Sequence, residues 1–190
     1  MSEETVLRPC SPVDLEILLK IYHEGFRSEL AFFFKSFCTR FFEALFRLLV
    51  RETVVADVDG NVVGFVIVTP SLRRFLGTDL LRLIPTIPKL LVSIRSCLFS
   101  FVLQKLRNTK WSNCQVGIGC IAVKKEYRGK GIGRALMLEA LSQHPTKNAI
   151  LDVRVWNESA TRLYSGVGFR KIGAWKDPLG TWIMMYRPKP

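Results

Sequence analysis

The chemistry-bearing stretch of this chain runs Ile118-Gly-Cys-Ile-Ala-Val123-Lys-Lys-Glu-Tyr-Arg128-Gly-Lys-Gly-Ile-Gly133-Arg-Ala-Leu. An apolar, β-prone run ends at Val123, a basic loop carries glycines at 129, 131 and 133, and helix-forming residues follow. That order suits a diphosphate. The first amides of a helix lack internal partners, and the helix dipole adds partial positive charge at the same place. Glycines let the backbone come close to phosphate oxygens, and successive amides in such a turn form an anion nest. Lys124, Arg128, Lys130 and Arg134 contribute full charges. Two other phosphate loops fail on the residues themselves. A Walker A loop needs Gly-Lys-Ser/Thr where this chain has Gly-Lys-Gly, and Gly129-x-Gly131-x-Gly133 lacks the Gly-x-Gly-x-x-Gly spacing of a dinucleotide fingerprint.

In this context Arg128-x-x-Gly131-x-Gly133 resembles motif A of the GNAT acetyltransferases, Arg/Gln-x-x-Gly-x-Gly/Ala. A second block agrees. Leu151-Asp-Val-Arg-Val-Trp-Asn157-Glu-Ser-Ala160-Thr-Arg-Leu163-Tyr164, followed by Gly168-Phe169, is similar to the family's next motif, in which a strand leads to Asn and then to a helix carrying Ala and Leu-Tyr. The similarity covers roughly residues 114–187, and the first 70 residues carry no distinctive motif. It implies a fold of the α/β (α+β) kind, with a mixed, mostly antiparallel central sheet flanked by helices. It also implies an N-acetyltransferase that uses acetyl-coenzyme A, needs no metal and passes an acetyl group to a primary amine by direct attack.

The resemblance assigns expected roles. Arg128, Gly129, Lys130, Gly131, Ile132, Gly133 and Arg134 would cradle the pyrophosphate. Ile121, Ala122 and Val123 would pair with the pantetheine arm as with an added strand, and a backbone amide near Val123 would polarise the thioester carbonyl. Asn157 and Ala160 would touch the arm, although helix capping alone explains an Asn at 157. Tyr164 would contact the cofactor and protonate the departing thiolate, a reasonable task for a phenol of pKa about 10; its plainer reading is a packed aromatic. Strand 114–123 carries no acid. Glu24, Glu29, Asp152 and His23 remain, each read as a surface or capping group, and no general base is assigned.

Composition sets the wider frame. The 190 residues suffice for one domain with a core that needs no staples. The chain carries 28 Lys and Arg against 16 Asp and Glu, a net charge of +12 that favours anionic partners. This makes an amine on an anionic molecule, such as an amino-sugar nucleotide, a better acceptor than a polyamine. A protein N-terminus or lysine is a second possibility, and a non-catalytic acyl-coenzyme A-binding module is the rival from another class. Five cysteines without a Cys-x-x-Cys spacing and two histidines argue against a disulfide framework or a metal cluster. No nucleic-acid motif is present. The acidic start, MSEETVLRPC, does not read as a signal peptide, so a cytoplasmic protein with reduced thiols is expected.

The elements that must position these residues follow from periodicity. A strand is expected at 4–8, then a helix capped at Ser11-Pro12 that stops at Gly25. A Phe-rich helix is expected over 29–51, then a hairpin with strands at 53–58 and 62–69 around Asp59-Gly60-Asn61. Residues 70–110 read as a hydrophobic, basic helical insertion, too charged to span a bilayer, that packs on the Phe-rich helix as a wall for the acceptor. Peripheral membrane contact or a homodimer through this insertion is the competing outcome. Beyond it come a strand at 114–123, a helix at 131–143, a strand at 149–155, a helix at 157–166, and strands near 169–175 and 181–187.

Overall fold

A computed structural model describes residues 4–25, 46–47, 49–69, 115–177 and 180–190. The insertion at 70–110 and all but the last residues of the Phe-rich helix lie outside them. The expected packing of one on the other therefore lies outside the described residues.

The order of elements is β1 (Thr5–Pro9), α1 (Leu15–Gly25), β2 (Thr53–Val58), β3 (Asn61–Thr69), β4 (Gln115–Val123), α2 (Ile132–Ser142), β5 (Asn148–Arg154), α3 (Glu158–Gly166), β6 (Arg170–Asp177) and β7 (Gly180–Arg187). The strands form one seven-stranded sheet in the order β1-β2-β3-β4-β5-β7-β6. All pairings are antiparallel except β4 with β5. The mixed, mostly antiparallel sheet with flanking helices agrees with the expected fold class.

Two cores cover its faces. Leu136, Met137, Leu141, Tyr164 and Val167 of the α2–α3 segment pack on Val54, Val66, Val116, Leu151 and Val153. Leu18, Ile21, Tyr22 and Phe46 pack on Val55, Phe65, Ile67 and Ala122 from the other side. Alternation along β5 therefore sends Ala149, Leu151 and Val153 to the α2/α3 face and Ile150, Asp152 and Arg154 to the α1 face.

Two irregularities shape the middle of the sheet. β4 and β5 share only three register pairs, Gln115 with Asn148, Val116 with Ala149 and Gly117 with Ile150. Beyond these, β4 pairs only with β3 and β5 only with β7, so the sheet is split from Ile118 to Val123. On the β3 side, Ile67 pairs with Cys120 but Val68 with Ile118, which leaves Gly119 as an extra residue in β4. Such a bulge bends its strand and increases the local twist. It lies where β4 leaves β5.

An ion network ties the N-terminal elements together. The Arg8 guanidinium donates to Asp14 at 2.8 and 2.9 Å and to Asp57 Oδ2 at 3.1 and 3.3 Å. Asp14 also accepts from the Ser11 amide and hydroxyl, each at 2.8 Å. One buried carboxylate thus joins β1 and the turn that starts α1, while Arg8 continues the link to β2. The Arg8 guanidinium, against the opposing effect of burial, holds the Asp14 carboxyl at about 2, below its ordinary 3.8. A depressed folded-state value means that the contribution is complete above about pH 4 and is lost as pH falls towards 2. Asp14→Asn is expected to cost on the order of 2 kcal/mol in urea unfolding at pH 7 and to make no difference near pH 2. An equal cost at both pH values would contradict the network.

Candidate functional site

The loop after β4 begins with a 3₁₀ turn, Lys125–Tyr127, and reaches α2 through Gly129 and Gly131. These two glycines have φ of +78° and +84°, a left-handed backbone that other residues enter at a cost of about 1–2 kcal/mol. A Cβ built on either would meet nothing within 4 Å, so the space in front of the loop is open. Helical bonding begins with the Ala135 amide on the Gly131 carbonyl at 3.0 Å. The amides of Ile132, Gly133 and Arg134 fall in the first turn, where the helix offers them no carbonyl. The Ile132 side chain is buried in the α2/α3 core, so only its backbone belongs to the loop surface. Arg128, Lys130 and Arg134 are exposed, and Lys130 Nζ stands 4.8 Å from the centre of the Tyr127 ring.

The Arg128 side chain has a second partner that the sequence does not announce. The Lys124 amide donates to Val63 of β3 at 2.8 Å. Successive amides of a strand alternate in direction, so the amides of Val123 and Ile121 face the split instead. The Val123 carbonyl faces the same way, and Arg128 Nε donates to it at 2.9 Å. Arg128 therefore ties the basic loop to the end of the open strand. Glu24, at the end of α1, accepts from the Lys125 amide at 3.0 Å and lies 4.0 Å from Arg128 Nη2. This carboxylate, considered from sequence as a proton acceptor, instead braces α1 against the loop. Gly25 lies close by, its Cβ position 3.6 Å from Ala122 Cβ.

Across the split, Asn157 caps α3, its Oδ1 accepting from the Ala160 amide at 3.1 Å. The cap uses the side-chain oxygen and leaves the NH₂ group as the donor. Tyr164 is buried at 7% exposure and packs beside Phe169, ring centres 6.1 Å apart. Burial raises the phenol well above its ordinary 10, and the Cys120 thiol of β4 raises it further. Tyr164 thus bridges from α3 towards β4, and it is a protonated phenol, a donor and never a base, over the physiological range.

Asp152, one of the acids that the sequence left in view, belongs to a polar cluster on the α1 face of β5 whose other members the sequence did not single out. Asp152 accepts from Trp175 Nε1 at 3.1 Å. Trp175 stacks on Trp182 at 5.5 Å with 13° between the planes, and the Arg154 guanidinium lies 3.8 Å from the Trp182 ring centre. The signal was present: Asp and Arg alternate with Leu and Val in a strand otherwise built for burial. Among the described residues, no group of three or more His, Cys, Asp or Glu could hold a metal ion, and no helix is long and apolar enough to cross a membrane.

A strand with one open edge, running into a glycine-rich basic loop at a helix start, is the arrangement that the resemblance requires. The profile of the Acetyltransferase (GNAT) family matches residues 18–169. The chain belongs to this family. Over 53 residues the chain is 42% identical to the N-alpha-acetyltransferase RimI of Mycobacterium tuberculosis, and over 53 it is 47% identical to an uncharacterised protein of Mycobacterium leprae. Both alignments cover 28% of this chain, and they span 34% and 15% of these curated relatives' lengths. The fold is similar to that of an N-acetyltransferase from Staphylococcus aureus Mu50, with a TM-score of 0.72 and 19% identity over 95% of this chain and 99% of that one. It is also similar to the ribosomal-protein-S18-alanine N-acetyltransferase of Escherichia coli, at 0.61 and 17% over 98% and 94%. A NatC complex solved with a Gag peptide and CoA shares the fold at 0.58 and 18% over 97% and 98%.

Gly131→Ala tests the loop geometry without a steric clash, because the new Cβ meets open space. Denaturant titration should show a loss of about 1–2 kcal/mol from the left-handed backbone alone. A neutral result would mean that the loop does not hold this conformation.

Proposed function

We propose that the protein transfers the acetyl group of acetyl-coenzyme A to a primary amine. The observation that carries this reading is the split between β4 and β5, which leaves backbone amides of β4 facing an opening that ends at the basic loop. When bound, acetyl-coenzyme A supplies a thioester already activated for attack. The residues fit this co-substrate. The open space before Gly129 and Gly131 leaves room for phosphates that a side chain would obstruct, and the amides of Ile132, Gly133 and Arg134, without carbonyl partners in the first turn of α2, are donors for them. Arg128, Lys130 and Arg134 supply the counter-charge. The amides of Ile121 and Val123, with Ala122 between them turned towards β3, offer strand pairing to an extended arm and a donor for a carbonyl oxygen. Asn157 NH₂ supplies a further donor, and Ala160 keeps the neighbouring surface small. Tyr164 holds a proton on its phenol oxygen, available to a leaving sulfur.

For the acceptor, the net charge of +12 supports an amine on an anionic molecule such as an amino-sugar nucleotide. A second reading, a protein α-amino group, is supported by the similarity to RimI. Acetyl-coenzyme A is expected to raise the melting temperature, because it binds the folded state alone. Arg128→Glu should remove most of that shift; a variant that binds as tightly as the parent would refute the phosphate cradle. Tyr164→Phe should lower kcat by about 100-fold or more while leaving the affinity for acetyl-coenzyme A nearly unchanged. An unaltered kcat would leave Tyr164 as packing.

A further inference from the structure

A site that turns over must let go of what it binds. Transfer converts acetyl-coenzyme A into coenzyme A, and both carry the same phosphates. A cradle that recognises phosphate therefore holds the product as firmly as the co-substrate. The basic loop has beside it a group that opposes such holding.

Glu24 stands in the last turn of α1, whose Leu18, Ile21 and Tyr22 are buried against the sheet. The Cβ position of the next residue, Gly25, is 3.6 Å from Ala122 Cβ, so the end of the helix rests on β4 beside the open strand. From this fixed base the carboxylate reaches the loop. Its Oε1 accepts from the Lys125 amide at 3.0 Å and lies 4.0 Å from Arg128 Nη2. The amides of Lys124, Tyr127 and Arg128 bond to backbone carbonyls, on Val63, Lys124 and Lys125, whereas the Lys125 amide bonds to this carboxylate.

The two neighbours of the Arg128 side chain have different effects. Nε donates to the Val123 carbonyl at 2.9 Å, a neutral partner that fixes where the guanidinium points. Glu24 is not needed for that aim. What it adds is negative charge beside a cation that a phosphate would use. The Glu24 and Arg128 side chains keep 42% and 51% of their exposure, so water screens the pair and it contributes little to stability. Its effect falls instead on an anion entering the loop, which it repels and with which it competes for Arg128. Glu126, in the turn itself, is exposed and forms no ion pair among the described residues. It has the same charge without the contact to Arg128.

Resting on the acetyltransferase reading, we propose that Glu24 is the counter-charge that keeps the phosphate cradle from retaining coenzyme A after transfer. It lowers the affinity for co-substrate and product alike, and so sets how readily the product leaves. It moves no proton and touches no reacting atom.

Glu24→Gln isolates this effect, because the amide oxygen still accepts from Lys125 while the charge is removed. The probes are coenzyme A, inorganic pyrophosphate and acetyl-pantetheine, which has the arm but no phosphate, each titrated calorimetrically. At low ionic strength the variant should bind coenzyme A and pyrophosphate about three- to tenfold more tightly than the parent. In turnover, the inhibition constant of product coenzyme A should fall by the same factor. The gain should nearly vanish at about 1 M salt, where the screening length is about 3 Å. Acetyl-pantetheine should bind parent and variant equally, and Glu126→Gln should give a distinctly smaller gain. Unchanged or weaker coenzyme A binding in Glu24→Gln would overturn the proposal and leave the acetyltransferase reading standing. A kcat that collapses at unchanged coenzyme A affinity would also overturn it, and would make Glu24 a proton acceptor. Tighter pyrophosphate binding in the variant of a protein that transfers no acetyl group would support the counter-charge and refute the acetyltransferase reading instead.

Discussion

The parting of β4 from β5 after three residue pairs is the constraint on which the rest of the structure depends. A central strand normally spends both edges on its neighbours, because an unpaired buried amide or carbonyl costs about as much as a lost hydrogen bond. Here β4 spends only one edge beyond Gly117. The Gly119 bulge turns the strand, and β5 follows β7 instead. The opening is kept by covering both faces: α2 and α3 pack on one side, and α1 packs on β3 and β4 on the other. Across the split, Cys120 on β4 and Tyr164 from α3 lie close enough to act on each other.

Concentrated positive charge at the loop is the second requirement, and it creates a problem that the structure answers locally. Several cations around one glycine-rich turn repel each other until an anion arrives. Glu24 partly offsets this by placing a carboxylate 4.0 Å from Arg128, while its bond to the Lys125 amide ties the loop to α1. Arg128 in turn donates to Val123. The loop, the open strand and α1 are thus joined through two side chains, Glu24 and Arg128.

Much of this was readable from sequence, for physical reasons. The loop from Arg128 to Gly133 could be placed because left-handed turns, helix starts and anion binding make overlapping demands on residue type. Their coincidence is hard to produce otherwise. The strands and helices after Gln115 came out within a residue or two of their expected bounds, because their apolar periodicity is clean. Two features could not be read. The split is a property of register between strands, and no residue type marks it except the glycines at 117 and 119. The Asp152–Trp175–Trp182–Arg154 cluster joins positions from three strands, so only topology brings them together. Glu24 illustrates the same limit: its role depends on a residue about 100 positions away.

The central claim is that the open edge of β4 is a binding surface for the extended arm of a coenzyme A thioester. Hydrogen exchange resolved to single amides, with and without acetyl-coenzyme A, addresses it directly. The account predicts strong new protection at Ile121 and Val123, which face the split, and at Ile132, Gly133 and Arg134, with little change at Lys124, whose amide is already bonded to Val63. Protection confined to the loop, with Ile121 and Val123 exchanging as in the free protein, would contradict it.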